Sequence, residues 1–389
     1  MRPETPQSRP VRLRKCHSIA DLRALARRRL PHPIFQYLDG AAEDEITAAR
    51  NVSAFDTDSL VPRALVDVRE VDTATTVLGQ RIDWPVICSP TGSSRFYHAD
   101  GELAVARAAA DAGIMYSLAT MSSYDIETVA AAGAGPRMFQ LFVFKDRGIT
   151  REHIARCKAA GYNAICLTVD VAVRGKRERE LRSGMGIPTN FTLAALASFA
   201  LRPAWLLGLA RKGRFSMPTF NERVGGNIVD QTRFLGEQLD PSLEWADIAE
   251  FIRLWDGPFA IKGLLSAEDA RRAADLGASA VMVSNHGGRQ LDHAAAPYDV
   301  LPEIADAVGG RMEIILDGGV RRGVHVLKAL ARGATACSVG RSYLYGLGAG
   351  GYPGVATALE ILRTEFVRAM QLTGCQDIAA IDRSLLREF

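Results

Sequence analysis

The chain has 389 residues, 48% hydrophobic and 23% charged, which is too apolar for a disordered chain and long enough for one large α/β unit with additions or for two to three ordinary domains. Its 47 Lys and Arg against 44 Asp and Glu leave a net charge of only +3, which argues against a nucleic-acid partner in the absence of a concentrated basic patch. The six cysteines (Cys16, Cys88, Cys157, Cys166, Cys337, Cys375) include no C-x-x-C pair and read as reduced thiols of a cytoplasmic protein.

Residues 1–29 hold nine basic side chains against Glu4 and Asp21, without the apolar stretch of a secretory signal. A transit peptide is the weaker reading, because the two acids interrupt it. Residues 1–16 are expected to be a flexible basic head. Residues 17–83 form a helical and connecting segment that opens with SIADLRALARRRL, capped by Ser18.

From residue 84 to 381, eight short apolar runs recur: PVICSP, IMYSLA, MFQLFV, AICLTVD, FAIKGL, AVMVSN, EIILDG and ACSVG. They are rich in β-branched residues and do not alternate, as expected of parallel strands buried on both faces. Ala- and Leu-rich amphipathic segments separate them, and three of these end at Gly161, Gly277 and Gly333, where a left-handed cap is wanted. The repeated strand, helix and glycine predict an α/β fold, a (β/α)8 TIM barrel, with an N-terminal helical segment and a long insertion after strand four at about 171–241. Residues 382–389 are read as a C-terminal tail.

In such barrels the chemistry sits at the C-terminal ends of the strands. Here those ends offer Thr91 and Gly92, Thr120, Gln140, Thr168 and Asp170, Lys262, then Ser284, Asn285 and His286, then Asp317, Gly318 and Gly319, and finally Gly340 and Arg341. DGGVRRG and VGRS follow strands seven and eight, where glycines and a helix N-terminus admit a phosphate and Arg321 and Arg341 can pair with it. In SNHGGRQLD, His286 can take a proton near neutral pH and Arg289 can grip a carboxylate, which suggests proton abstraction from a carboxylic acid. Asp170 is a candidate partner for the imidazole, and Lys262 a cation placed to stabilise a reduced ring. GLGAGG (346–351) matches G-x-G-x-x-G in spacing but follows the last strand, so it is read as loop chemistry. The seven histidines show no metal-ligand spacing, and no metal site is predicted.

SNHGGRQLD, LDGGVRRG, FQLFVFKDR, LTVD followed by RGKRERE, IKG and LPHPIFQYLDGAAEDE stand in the order seen in one family. The chain resembles the FMN-dependent L-2-hydroxy-acid oxidases and dehydrogenases (glycolate oxidase, L-lactate dehydrogenase, (S)-mandelate dehydrogenase), in pattern most like the membrane-associated dehydrogenases. The resemblance implies FMN as cofactor, His286 as base with Asp170 as its partner, and Arg289 and Arg177 on the substrate carboxylate. It implies an active-site role for Tyr37 and places Lys262 near the flavin pyrimidine. Thr91, Gly92, Gln140, Thr168 and Ser284 match flavin-ring contacts; Asp317, Gly319, Arg321, Gly340 and Arg341 match the ribityl and phosphate site. Phe142 stands where many members have a substrate-binding tyrosine, Ala119 where serine is common, and Met121 where glycolate oxidase has a large aromatic residue. Gly92 lies where family dehydrogenases often carry glycine and oxidases alanine.

The expected reaction is oxidation of a lactate- or mandelate-like acid, with electrons passed to a quinone or another non-oxygen acceptor. The alternatives are an oxidase that releases hydrogen peroxide, an FMN-barrel isomerase acting on a phosphorylated substrate, and a flavin-holding protein without catalysis. The family resemblance adds a homotetramer. Within the insertion, residues 181–221 contain no acid, while Arg182, Arg202, Arg211, Lys212 and Arg214 are basic, and FTLAALASFALRPAWLLGLA (191–210) is mostly apolar. Arg202 and Pro203 at its centre exclude a simple span. The segment 191–214 is expected to lie on the inner face of the cytoplasmic membrane with Trp205 at the headgroup boundary, or else to cover the barrel mouth as a lid.

Overall fold

A computed structural model describes residues 9–186, 190–213, 215–220, 224–225 and 228–388. Eight parallel strands close into a barrel in chain order: Val86–Thr91, Met115–Ala119, Arg137–Leu141, Ala164–Thr168, Phe259–Leu264, Ala280–Ser284, Glu313–Asp317 and Ala336–Val339. The eighth pairs with the first through Cys337 opposite Val86 and Val339 opposite Cys88. All eight apolar runs are therefore strands, and the fold is the TIM barrel.

The missing alternation has a clear origin. One set of side chains, including Ile87, Met115, Met138, Cys166, Met282 and Ile315, fills the barrel, and the intervening set packs outwards on the helices. Both faces are dry, so both are apolar. Four alanines (Ala164, Ala260, Ala280, Ala336) make room inside for the long methionines. The N-terminal end of the barrel is plugged by a hairpin of Thr75–Val77 and Gln80–Ile82, whose Val77, Leu78 and Ile82 join this inner core. The Leu78 amide donates to the Glu313 carboxylate at 2.8 Å, which closes that end.

Ser18 caps the helix Ile19–Arg29 through the Asp21 amide, and Gly161, Gly277 and Gly333 have φ of 70°, 85° and 106° just past their helices. The GLGAGG reading needs correction. Those residues lie within the helix Arg341–Thr373, which breaks only at Gly350 and Gly351. A Cβ at Gly348 would come within 2.9 Å of Leu30, and one at Gly350 within 2.9 Å of Leu13, so these two glycines serve close packing against the N-terminal helices.

The termini also differ from expectation. In the stretch expected to be a flexible head, Val11–Arg14 is helical and buries Leu13. In the stretch expected to be a tail, Leu386–Glu388 pairs antiparallel with Asp58–Leu60 and Leu385 is buried. A buried leucine anchors each of these described stretches, and strand pairing adds to it at the C-terminal one.

The insertion carries the helices Glu178–Ser183, Leu193–Ala200, Pro203–Arg211 and Ile228–Gln238. The middle two meet at 79°, and among the described residues no single helix is long and apolar enough to cross a membrane. The pair leaves Leu193, Leu196, Leu201 and Leu207 exposed. Trp205 also contacts the protein: its indole N–H donates to the Phe96 carbonyl at 2.8 Å and its ring packs on Phe199. This half-buried indole finds its acceptor within the protein, so Trp205 ties the pair to the barrel. Arg214 and Asn221 lie outside the described residues.

The hairpin plug and the barrel mouth are at opposite ends, which separates stability from chemistry. Leu78→Ala should cost about 2–5 kcal/mol on deletion of a buried leucine side chain, measured by chemical denaturation, with the cofactor content of the folded protein unchanged.

Candidate functional site

The floor of the barrel mouth is a network of buried charges. Lys262, at the end of strand five, donates to Asp317 of strand seven at 2.7 Å and to the Ser284 hydroxyl of strand six at 2.8 Å. Ser284 donates to Asp317 at 2.7 Å and Ser89 of strand one does so at 2.8 Å. Burial pushes the Asp317 carboxyl up, but Lys262 and the two hydroxyls hold it below its ordinary range. Burial likewise pulls Lys262 down, and Asp317 and Asp170 more than offset it. Asp317, matched from sequence to the ribityl site, thus turns its carboxylate to Lys262 and acts as the counter-ion of the floor.

Strand six ends in three left-handed residues: His286, Gly287 and Gly288 have φ of 58°, 65° and 75°. Two are glycines and adopt this freely; the histidine does not, and such a residue stores about 1–3 kcal/mol of strain. The turn brings His286 Nδ1 to within 2.9 Å of Asp170 Oδ1, and the His286 amide donates to the Ser284 hydroxyl at 3.0 Å. Burial lowers the imidazole's proton affinity, Asp170 opposes this without cancelling it, and the ring stays below its ordinary value. Burial raises Asp170, but His286 and Lys262 outweigh it and keep the carboxylate charged. An ionised carboxylate only accepts, so Nδ1 carries the proton and Nε2 is the basic nitrogen.

Beside this pair stand two arginines. Arg289 donates to the Tyr37 and Gly40 carbonyls at 3.0 and 2.7 Å, and its guanidinium lies 5.2 Å from the centre of the Tyr37 ring. Arg177 donates to the Arg289 carbonyl at 3.0 Å and to Gln290 at 3.3 Å. Burial and Arg289 pull its pKa down to about 10, so it stays charged at neutral pH. Phe142 and Met121 pack with Phe144, Phe220 and Phe234 as an apolar wall. A cavity of about 210 Å³ lies alongside, lined by Phe142, Thr168, Val171 and Trp245.

Several groups have no protein partner among the described residues. Gln140 Nε2, Thr168 Oγ1 and Asp170 Oδ2 are all buried and unpaired. A buried polar atom of this kind wants a ligand. An amide donor, a hydroxyl and the nearby Lys262 cation match the alternating donors and acceptors on the edge of a flavin pyrimidine. At the opposite side of the mouth, the helices Gly323–Ala331 and Arg341–Thr373 start after Gly319 and Gly340 with no acid in either first turn, which suits a phosphate. Arg341 donates to the Gly287 and Gly40 carbonyls at 2.8 and 2.7 Å, and Arg321 to the Val320 carbonyl at 2.9 Å. The mouth therefore fits FMN. Thr91 bonds Tyr343 at 2.6 Å, and a Cβ on Gly92 would stand 3.0 Å from that of Met121.

Sequence reasoning missed Asn51, Asp292 and Glu180, which help hold this site together, and noted Asn285 only as a polar group at a strand end. Asn51 and Asn285 exchange amide bonds at 2.8 and 2.7 Å, buried between the N-terminal segment and the histidine turn. Asp292 accepts from the amides of Asp44, Ile46 and Thr47, and so caps the helix Ile46–Ser53. Glu180, 2% exposed, faces Arg289, Arg177 and Arg174. Asp292 sits within SNHGGRQLD and Glu180 lies three residues beyond Arg177, so both were visible; the pairing of Asn51 with Asn285 carried no signal.

Comparison with known proteins agrees with this geometry. The family model described as FMN-dependent dehydrogenase matches residues 26–388. An L-lactate dehydrogenase of Caulobacter vibrioides is 43% identical over 376 residues, covering 95% of this chain and 97% of that one. An L-lactate oxidase of Nostoc sp. is 42% identical over 366 residues, covering 93% and 95%. Among solved structures, the monotopic membrane protein (S)-mandelate dehydrogenase superposes with a TM-score of 0.93 at 36% identity, covering 96% of this chain and 100% of that one. With its closed barrel, its buried strand-end charges and a family match over nearly its whole length, this chain belongs to the FMN-dependent dehydrogenases.

Proposed function

We propose that the chain oxidises an L-2-hydroxy acid, lactate- or mandelate-like, to the 2-oxo acid and passes the electrons to a quinone or another non-oxygen acceptor. The observation that carries this reading is His286 held at 2.9 Å from Asp170 beside the guanidiniums of Arg289 and Arg177. When bound, FMN supplies the two-electron acceptor. Thr91, Gly92, Gln140, Thr168 and Ser284 would hold its ring, with Lys262 beside the pyrimidine; Asp317, Gly319, Arg321, Gly340 and Arg341 would hold its ribityl chain and phosphate.

Arg289 and Arg177 bind the substrate carboxylate, and Tyr37 adds a hydroxyl. His286 Nε2 takes one proton, from the hydroxyl or the α-carbon. Asp170 then faces a full imidazolium at hydrogen-bond distance, which favours the proton transfer. Phe142 offers no hydroxyl, so placement of the acid rests on Tyr37 and the arginines. Met121 and Phe142 give the substrate side chain an apolar wall.

The exposed leucines of the bent pair Leu193–Ala200 and Pro203–Arg211 support contact of 191–214 with the inner face of the cytoplasmic membrane, and the monotopic (S)-mandelate dehydrogenase supports the same reading. A homotetramer belongs to this proposal on family resemblance. The oxygen-using alternative is favoured by one observation, the likeness to an L-lactate oxidase. Gly92 speaks for the dehydrogenase.

Anaerobic mixing of the yellow protein with L-lactate and (S)-mandelate should bleach the flavin; no bleaching with any L-2-hydroxy acid would refute the proposal. Stoichiometric peroxide on rapid reoxidation in air would replace the dehydrogenase with the oxidase.

His286→Ala should retain FMN but slow flavin reduction about 10²- to 10⁴-fold. The base must be neutral, and burial holds it below its ordinary 6.5. The reduction rate of the wild type should therefore rise with pH through a midpoint below 6.5 and then stay flat until Arg177 begins to lose its proton towards pH 10. Asp170→Asn, which removes the group that raises the imidazole, should move that midpoint lower and reduce the plateau.

Replacing 191–214 by a short polar linker should move the protein from the membrane pellet to the supernatant with flavin reduction intact. Unchanged partitioning would leave the segment as a lid.

A further inference from the structure

The carboxylate of Glu180 is shared by three guanidiniums. Arg289 Nη2 donates to Oε1 at 2.6 Å, Arg174 Nη2 to Oε2 at 2.9 Å, and Arg177 Nη1 lies 3.5 Å from Oε1. Among the described residues, the remaining contacts of Arg289 and Arg177 are to carbonyls, to the neutral Gln290 amide and, for Arg289, to the face of the Tyr37 ring. Glu180 is thus the one carboxylate in ion-pair contact with both arginines among the described residues. Three positive charges against one negative leave the cluster short of anions, and a substrate carboxylate is the group that makes up part of the difference.

Two adjacent guanidiniums repel each other, and long side chains lose rotamer freedom when fixed, so a fork aimed at a ligand needs a counter-charge behind it. Glu180 stands on the short helix Glu178–Ser183, directly after Arg177, and is fully desolvated. That combination sets the orientation of Arg289 and the separation of Arg289 from Arg177 before substrate arrives.

We propose that Glu180 is the positioning residue of the carboxylate site, fixing the Arg289 and Arg177 forks for a monoanionic 2-hydroxy acid, with Arg174 holding its far oxygen. This rests on the function proposed above. Glu180 does not touch the reacting atoms, so it acts on binding of the acid and leaves proton transfer at His286 largely untouched.

Glu180→Gln keeps the volume but turns an amide donor towards one of the arginines. It should raise KM for L-lactate or (S)-mandelate about tenfold or more, the scale of one charge-assisted hydrogen bond, while kcat falls by less than about threefold. Glu180→Asp should recover part of the KM. Arg174→Gln, at a half-exposed position, should raise KM in the same direction by less. Titration of the oxidised, FMN-loaded variants with pyruvate, followed by flavin absorbance, should weaken in the same order without any turnover. Unchanged KM and pyruvate binding in Glu180→Gln, or a loss of kcat at constant KM, would overturn the proposal. If the wild type is not reduced by any hydroxy acid yet the variants still weaken pyruvate binding in this order, the reaction is wrong and the carboxylate site stands.

Discussion

Everything at the barrel mouth depends on keeping ionised groups charged after they have been taken out of water. Lys262 and Asp317 do this for each other across 2.7 Å, with Ser284 and Ser89 satisfying the remaining lone pairs. Removing one partner of such a buried pair costs about 3–5 kcal/mol, because the other is left uncompensated. The pair also fixes Ser284, whose hydroxyl receives the His286 amide and so sets the start of the strained turn. The orientation of the imidazole towards Asp170 therefore follows from the floor charges beneath it.

The N-terminal segment locks this arrangement from above. Asp292, a few residues beyond the histidine turn, caps the helix Ile46–Ser53, and the Asn51–Asn285 amide pair binds that helix to the turn itself. A Cβ on Gly288 would lie 2.6 Å from the Ala48 amide, and one on Gly319 would lie 1.8 Å from the Asn51 carbonyl oxygen, so both the histidine turn and the phosphate loop are pressed against the same helix. A single segment thus couples the proposed base to the proposed phosphate site. The carbonyls of Tyr37 and Gly40 extend the coupling to Arg289.

The barrel was legible in the sequence because its strands are short, apolar and evenly punctuated by glycine-capped helices, a pattern set by local physics. The strand-end residues were legible for the same reason: polar side chains at the ends of buried strands, such as Gln140, Thr168 and Lys262, have no structural excuse in an apolar run. What stayed hidden depends on contacts distant in sequence. Asn51 and Asn285 are 234 residues apart, and no periodicity links them. Gly348 and Gly350 looked like a loop because close packing with Leu30 and Leu13 becomes visible only once the N-terminal helices are in place. Trp205 reads as an interfacial residue by composition, and only the position of the Phe96 carbonyl shows that the protein holds its indole N–H.

The central claim is that His286 is a neutral base at physiological pH, protonated on Nδ1 towards Asp170 and open at Nε2. Nitrogen NMR of the FMN-loaded protein with labelled histidine measures this directly. The account predicts a single neutral tautomer at pH 7 with the proton on Nδ1, ionising only below pH 6.5. A proton on Nε2 in the neutral ring, or an imidazolium persisting at pH 7, would contradict it.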